Sequence, residues 1–366
     1  MRGFFLLSIF LFVTMSHAGA NAQKPCLQAS IACTEWIALD DQGQRGLIYR
    51  TYPLTHKNEL LEHAVIVIHG QGRNADRYFR NGLAGAFLAD ALKNTLLVSP
   101  RFASNEGQSC SDKLDANEVG WVCSGPESWR NGGEQATPAA KNLQSFDFMD
   151  VLVLKLTDKA TFPNLRTLVI AGHSAGGQFV NRYQMANRLH EKVTNERNIQ
   201  ISYVVANPSS YSYPDVLRPT QAAVPSTIAA AASGYLPSAS EAKDQQAFVP
   251  FADAGGCPNF NRWPYGLEHK VGYASQVSDD VLKQQLKKRP VTFLLGELDI
   301  SPTYGFDSSC AAMAQGPTRL ARGFAYAKFL TDSLQSNHPA VLVPACGHNA
   351  RCMFSAEPAL PYLFVK

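Results

Sequence analysis

The stretch RTLVIAGHSAGGQFVNRY (Arg166–Tyr183) runs from an apolar strand into a helical pattern, and a serine ringed by glycines stands at the join. Its centre, Gly172-His173-Ser174-Ala175-Gly176, fits G-x-S-x-G, which composition alone would produce in about a tenth of chains this long. The pentapeptide is therefore a weak signal by itself. Its context is rarer, because a strand ends at Ala171 and a helix begins within two residues. So sharp a turn forces the serine into strained backbone, which flanking glycines tolerate. The hydroxyl is then held clear above the sheet, at the amino end of a helix whose dipole favours developing negative charge. The plainer alternative is a serine that only caps the helix.

Outward from this corner, apolar β-rich runs alternate with helical patterns, which predicts an α/β fold with a mostly parallel central sheet flanked by helices. TEWIAL and GLIYRTY read as two early strands, and AVIVIHG (Ala64–Gly70) as a strand buried on both faces. A helix near Asp76–Leu92 leads to the strand NTLLVSP. After the corner come the strand in QISYVVANPSS, the strand in PVTFLLGELD (Pro290–Asp299), a helix near Thr318–Leu334 and a last strand, AVLVPA. Two segments break the rhythm. Residues 101–142 read as a long loop holding Cys110 and Cys123. Residues 211–288 read as an insertion before the strand that ends at Asp299, a cap over the carboxyl edge of the sheet rather than a separate domain.

The ends and the charge bound the function. A basic residue, the apolar run Phe4–Val13 and the small-residue sites at Ala18-Gly19-Ala20 and Ala20-Asn21-Ala22 predict a signal peptide over residues 1–22 and export of residues 23–366 to the periplasm or medium. The apolar run falls short of the roughly 20 residues a membrane span needs. Net charge is +3, with no basic tract beyond Lys287–Arg289, so nucleic acid is not an expected partner. Eight cysteines, Cys26, Cys33, Cys110, Cys123, Cys257, Cys310, Cys346 and Cys352, read as disulfides in an exported chain. Proximity pairs Cys346 with Cys352, Cys110 with Cys123 and Cys26 with Cys33, leaving Cys257 for Cys310. No C-x-x-C pair suggests zinc. No cofactor or metal is expected, and oligomeric state is not legible.

The strand–corner–helix unit resembles the nucleophile elbow of the α/β-hydrolase superfamily. The likeness runs from about Thr34 to Val365. NPSSY (Asn207–Tyr211) and NRWPYGLEH (Asn261–His269) are similar to stretches of secreted α/β-hydrolases, and the chain is distantly similar to polyhydroxyalkanoate-depolymerase-like esterases. It departs from ordinary lipases in its long cap and in Gly177. The resemblance implies Ser174 as nucleophile, followed in the chain by an acid and then a histidine. His348, after the last strand, fits the base. Asp299 fits the acid, with Asp307 and Glu297 as alternatives. The oxyanion donors would be the N–H of Ala175 and one from the loop after AVIVIHG, Gln71 or its neighbour Gly72. His69 and His173 read as architectural, whereas His190, His269 and His338 lie in polar surroundings. Trp121, Trp129, Tyr211, Tyr213, Trp263 and Tyr265 crowd the expected pocket segments, as an acyl-binding wall or as packing. The resemblance implies an exported serine hydrolase acting on a small-molecule or polymeric carboxylic ester through an acyl-enzyme. A peptidase or amidase with the same triad is the alternative, then a silent binding protein of the same fold, then a disulfide-stapled adhesin. The Cys346–Cys352 bridge would hold the loop that carries His348.

Overall fold

The structure, a computed structural model, describes residues 24–138, 143–220, 247–302 and 305–365. The expected signal peptide and the centre of the 211–288 insertion lie outside these residues.

Eight strands form one sheet: β1 (Thr34–Ala38), β2 (Arg45–Arg50), β3 (His63–Ile68), β4 (Thr95–Pro100), β5 (Thr167–His173), β6 (Gln200–Ala206), β7 (Val291–Gly296) and β8 (Ala340–Val343). Their spatial order is β1-β2-β4-β3-β5-β6-β7-β8. β1 pairs antiparallel with β2, and β2 antiparallel with β4, while every pair from β4 to β8 is parallel. Strands β3, β4 and β7 are buried at every position, which is why their sequences lack alternation.

Helices cover both faces. α1 (Ala75–Leu88) and the short α7 (Ala350–Ser355) pack Phe79, Met353 and Phe354 against Val65, Val67 and Leu97. On the opposite face α2 (Ser145–Leu156), α3 (Ala175–Ala186), α5 (Asp279–Lys288) and α6 (Arg319–Leu334) bury Leu152, Phe179, Leu286 and Phe329 against Ile66, Ile68 and Ile170. Between α3 and β6 lies α4 (His190–Arg197). The carboxyl ends of the parallel strands therefore meet the amino end of α3, where the elbow sits.

The described part of the 211–288 insertion contains a short antiparallel pair, Leu217–Pro219 with Phe248–Pro250. Its last ten residues are α5, which packs on α3 and belongs to the helical layer. Four disulfides join Cys26–Cys33, Cys110–Cys123, Cys257–Cys310 and Cys346–Cys352, the pairs that proximity along the chain suggests. They fit an oxidising compartment. No helix among the described residues is long and apolar enough to cross a membrane.

Most of the aromatics grouped as a pocket wall are core. Trp121, Trp129, Tyr211 and Tyr213 are fully buried, and Trp263 is 2% exposed. Trp129 stacks on Phe102 at 5.3 Å, and Tyr211 on Tyr326 at 4.4 Å. Two histidines with polar sequence neighbours also turn inward: His190 Nδ1 meets the Tyr203 hydroxyl at 3.1 Å, and His338 Nε2 meets the Leu286 carbonyl at 2.8 Å. Their neighbours sit at element ends, where the backbone turns outward while the ring points in.

A half-buried carboxylate on α2 makes stability depend on pH. Asp150 accepts the Tyr183 hydroxyl at 2.7 Å and the Tyr273 hydroxyl at 2.6 Å, yet burial pushes its pKa up to about 6. The fold thus prefers the protonated acid. That contribution is complete below the unfolded value near 3.9 and is lost as pH rises through about 6. An asparagine at this position has no such titration, so Asp150→Asn should gain stability relative to wild type between pH 4 and pH 7.5. Melting temperatures of both proteins across that range test it, and a constant difference refutes it.

Candidate active site

Ser174 stands just before α3 without a capping hydrogen bond from its side chain, at φ 60° and ψ −121°, a conformation L-residues avoid. Close packing enforces it. A Cβ on Gly172 would strike the Gly176 carbonyl, and one on Gly176 would strike the carbonyls of Ile68 and His69. Gly177, the glycine that ordinary lipase motifs lack, has the same origin: its Cβ would lie 2.7 Å from the Ala206 carbonyl. These three positions let α3 start directly over β3, β5 and β6. The Ser174 N–H is used as an anchor, donating to the Ala206 carbonyl at 2.9 Å.

The loop after β8 brings His348 to this corner. Its Nε2 lies 2.9 Å from Ser174 Oγ, and its Nδ1 lies 2.8 Å from Asp299 Oδ2. The other two candidate acids are engaged elsewhere. Glu297 accepts the Ala345 N–H at 2.7 Å, and Asp307 accepts the Tyr265 hydroxyl at 2.7 Å. Asp299 is 2% exposed, and its second oxygen faces Arg319 Nη1 at 3.3 Å. Arg319 is itself fully buried and donates Nε to Ser209 Oγ at 2.8 Å. The Asp299 carboxyl is therefore shared between an imidazole and a guanidinium. Sequence spacing had no signal for Arg319, which lies on α6.

A second histidine backs the first. The His173 ring centre is 4.6 Å from that of His348, and its Nδ1 meets the Tyr78 hydroxyl at 3.0 Å. Burial holds His173 well below the ordinary histidine range, so it stays neutral. A neutral neighbour spares His348 a like-charge repulsion when it takes a proton.

The N–H groups of Gln71, Gly72 and Ala175 have no hydrogen-bond acceptor among the described residues. Ala175 is the first residue of α3, where backbone donors lack intrahelical partners. The Gly70 turn lies against the serine, since a Cβ there would sit 3.5 Å from Ser174 Cβ. Arg73 fixes this turn: Nη1 donates to the Gln71 carbonyl at 2.7 Å, Nη2 to the Ser109 carbonyl at 2.6 Å, and Nε pairs with Asp112. Holding the Gln71 carbonyl fixes the peptide plane that contains the Gly72 N–H. Arg73 thus ties the candidate oxyanion loop to the loop stapled by Cys110–Cys123.

Ser174 and His348 open into a cavity of about 1170 Å³, also lined by Gln71, Tyr78, Arg77, Arg80 and Arg351. The loop that carries His348 has several ties. Leu298 N–H donates to the Cys346 carbonyl at 2.9 Å, Asn207 Nδ2 to the Gly347 carbonyl at 3.3 Å, and Asn349 caps α7. The Cys346–Cys352 bridge adds a covalent tie to the same loop. We expect the Cys346→Ser, Cys352→Ser double variant to fold, to melt lower, and to turn over slowly well below its melting point, because the imidazole then samples positions out of reach of Ser174. Wild-type turnover at such temperatures would reduce the bridge to a general stabiliser.

No family profile and no curated protein sequence matches the chain. Solved structures do. A poly(3-hydroxybutyrate) depolymerase from Bordetella parapertussis superposes with a TM-score of 0.54 at 21% identity, covering 88% of this chain and 85% of that one. Poly(aspartic acid) hydrolase-1 from Sphingomonas sp. KT-1 gives 0.53 at 21% identity, covering 87% of this chain and 95% of that one. At this identity the likeness carries the fold, and the fold is that of the α/β-hydrolases.

Proposed function

We propose that this α/β-hydrolase-fold chain is an exported serine hydrolase that cleaves carboxylic esters. The observation that carries the reading is the continuous relay from Ser174 Oγ to His348 Nε2 at 2.9 Å and from His348 Nδ1 to Asp299 at 2.8 Å. In this reading Ser174 Oγ attacks the ester carbonyl as His348 Nε2 takes the hydroxyl proton. Asp299 keeps the imidazole in the productive tautomer and balances its charge. The oxyanion accepts hydrogen bonds from Ala175 N–H and from Gln71 or Gly72 N–H. Collapse expels the alcohol, which leaves with the proton from His348. Water then attacks the acyl-serine with His348 again as base, releasing the acid and restoring Ser174.

The two similar structures are named for poly(3-hydroxybutyrate), an ester polymer, and poly(aspartic acid), an amide polymer, so they do not choose the bond. The choice of ester rests on chemistry. An alcohol leaves more readily than an amine, so the same constellation meets a lower barrier with esters. Labelling of the purified protein by a fluorophosphonate, with turnover of aryl and alkyl esters exceeding that of matched amides, is the expected result. Failure to label together with no turnover would leave a silent binding protein, and faster amide cleavage would make it an amidase.

A further inference from the structure

A second cavity, about 410 Å³, lies against the same helix. Gln178, one turn beyond Ser174 on α3, forms part of its wall. Gly305 lines the first cavity and Asp307, two residues on, lines the second, so the two adjoin across one short segment. The wall of the second carries Arg130, Arg262 and His269 against a single carboxylate, Asp307. That carboxylate is already occupied, accepting the Tyr265 hydroxyl at 2.7 Å and the Ser309 N–H at 3.1 Å.

Arg130 has no such occupation. It is half-buried, it faces the cavity, and its guanidinium makes no hydrogen bond or ion pair with any described residue. Close by, Arg182 is fully buried. It donates Nε to Ser212 Oγ and the Pro264 carbonyl and Nη2 to Ser210 Oγ, while its Nη1 has no hydrogen-bond partner among the described residues. Ser210 and Pro264 both line the cavity. Arg182 can be read as a hub that knits these segments together. Arg130 knits nothing. Two guanidinium groups, Arg130 at the wall and Arg182 behind it, share the attraction of one carboxylate, Asp307, which is itself engaged by Tyr265 and Ser309; positive charge is in excess there and favours a second anion. Burial lowers the pKa of both, and their mutual repulsion lowers that of Arg182 further, to about 9. The outer cleft has the same sign: Arg77, Arg80 and Arg351 line it with no carboxylate among the described lining residues, although Arg80 is paired with Asp76 at 2.6 Å just outside it.

We propose that the second cavity is a carboxylate subsite, and that the preferred substrates are esters bearing a free carboxylate, such as half-esters of short dicarboxylic acids. The carboxylate accepts paired N–H bonds from Arg130, with the charge of Arg182 nearby, while the ester carbonyl lies at Ser174. This deepens the ester-hydrolase reading and rests on it.

The test compares the 4-nitrophenyl half-ester of glutaric acid with its methyl-capped diester. Wild type should favour the half-ester in kcat/KM, and Arg130→Gln should lower that preference by about 10- to 100-fold. Arg130→Lys should restore part of it. Free glutarate should raise the melting temperature of wild type and not that of Arg130→Gln. Because Arg130 has no hydrogen bond or ion pair with a described residue to lose, Arg130→Gln without ligand should melt close to wild type. Equal preference in wild type and variant, or a glutarate shift that survives the substitution, overturns the subsite and leaves the hydrolase reading standing. Absence of turnover with both esters and of fluorophosphonate labelling overturns the hydrolase reading, while the glutarate shift still decides the subsite.

Discussion

Ser174→Ala is expected to fold, to melt at or near the wild-type temperature, and to lose ester hydrolysis by a factor of about 10⁴–10⁶. The two halves of this expectation have separate causes. The side chain contributes little to the fold, because its only hydrogen bond shown is the one to His348, while the corner is held by the backbone bond from Ser174 N–H to Ala206 and by the contacts at Gly172, Gly176 and Gly177. Alanine keeps the Cβ and therefore keeps the strained φ of 60°. A glycine at this position relieves that strain, so Ser174→Gly should melt higher than Ser174→Ala, less an offset from the greater freedom of glycine in the unfolded chain. Activity, by contrast, has no substitute for the hydroxyl. Turnover with a chromogenic ester, fluorophosphonate labelling and thermal melting of the three proteins measure each part. A Ser174→Ala protein with a tenth of wild-type turnover would assign the chemistry to another nucleophile.

What could be read in advance was what the chain writes locally. A strand buried on both faces shows as an unbroken apolar run, and the elbow shows as glycines spaced about a serine at a strand end. The eight strands and the place of His348 after the last of them follow from such signals. The acid was less determined, because Glu297, Asp299 and Asp307 lie within eleven residues and each could follow the same strand. Geometry separates them by what else each carboxylate holds. Contacts between distant segments left no trace in the sequence. Arg319 reaches Asp299 from α6, Tyr78 reaches His173 from α1, and Arg73 reaches across to Asp112 and Ser109. Nothing in the local pattern distinguishes these arginines from solvated ones. The aromatic residues left two readings open, pocket wall or packing, and the structure gives packing for most of them while Trp263 and Tyr265 also line the second cavity. Position in an irregular segment does not separate the two, but rings as large as Trp121 and Trp129 gain most by burial, and the loops fold back to bury them.

Asp299→Asn should have the second large effect, and it should strike activity and stability together. For activity, an asparagine that presents its amide N–H to His348 Nδ1 leaves the ring proton on Nε2, where it faces Ser174 and cannot accept the serine proton. Loss of the carboxylate in this role lowers turnover by a factor of about 10⁴. For stability, the same carboxylate is the ion-pair partner of Arg319, and both side chains are shielded from water. Removing it takes the Asp299 counter-charge from a buried guanidinium, a change that costs about 3–5 kcal/mol. The two losses are separable. In the double variant Asp299→Asn, Arg319→Met the buried charge is gone with its counter-charge, so part of the melting temperature should return, while turnover should not. Arg319→Met alone should destabilise and lower turnover far less than Asp299→Asn, because Asp299 keeps its bond to His348 Nδ1. A thermodynamic cycle over the four proteins, with kcat measured alongside, reads both terms. Recovery of turnover together with stability in the double variant would mean that Asp299 serves the fold alone, and that the base of this site is oriented by something else.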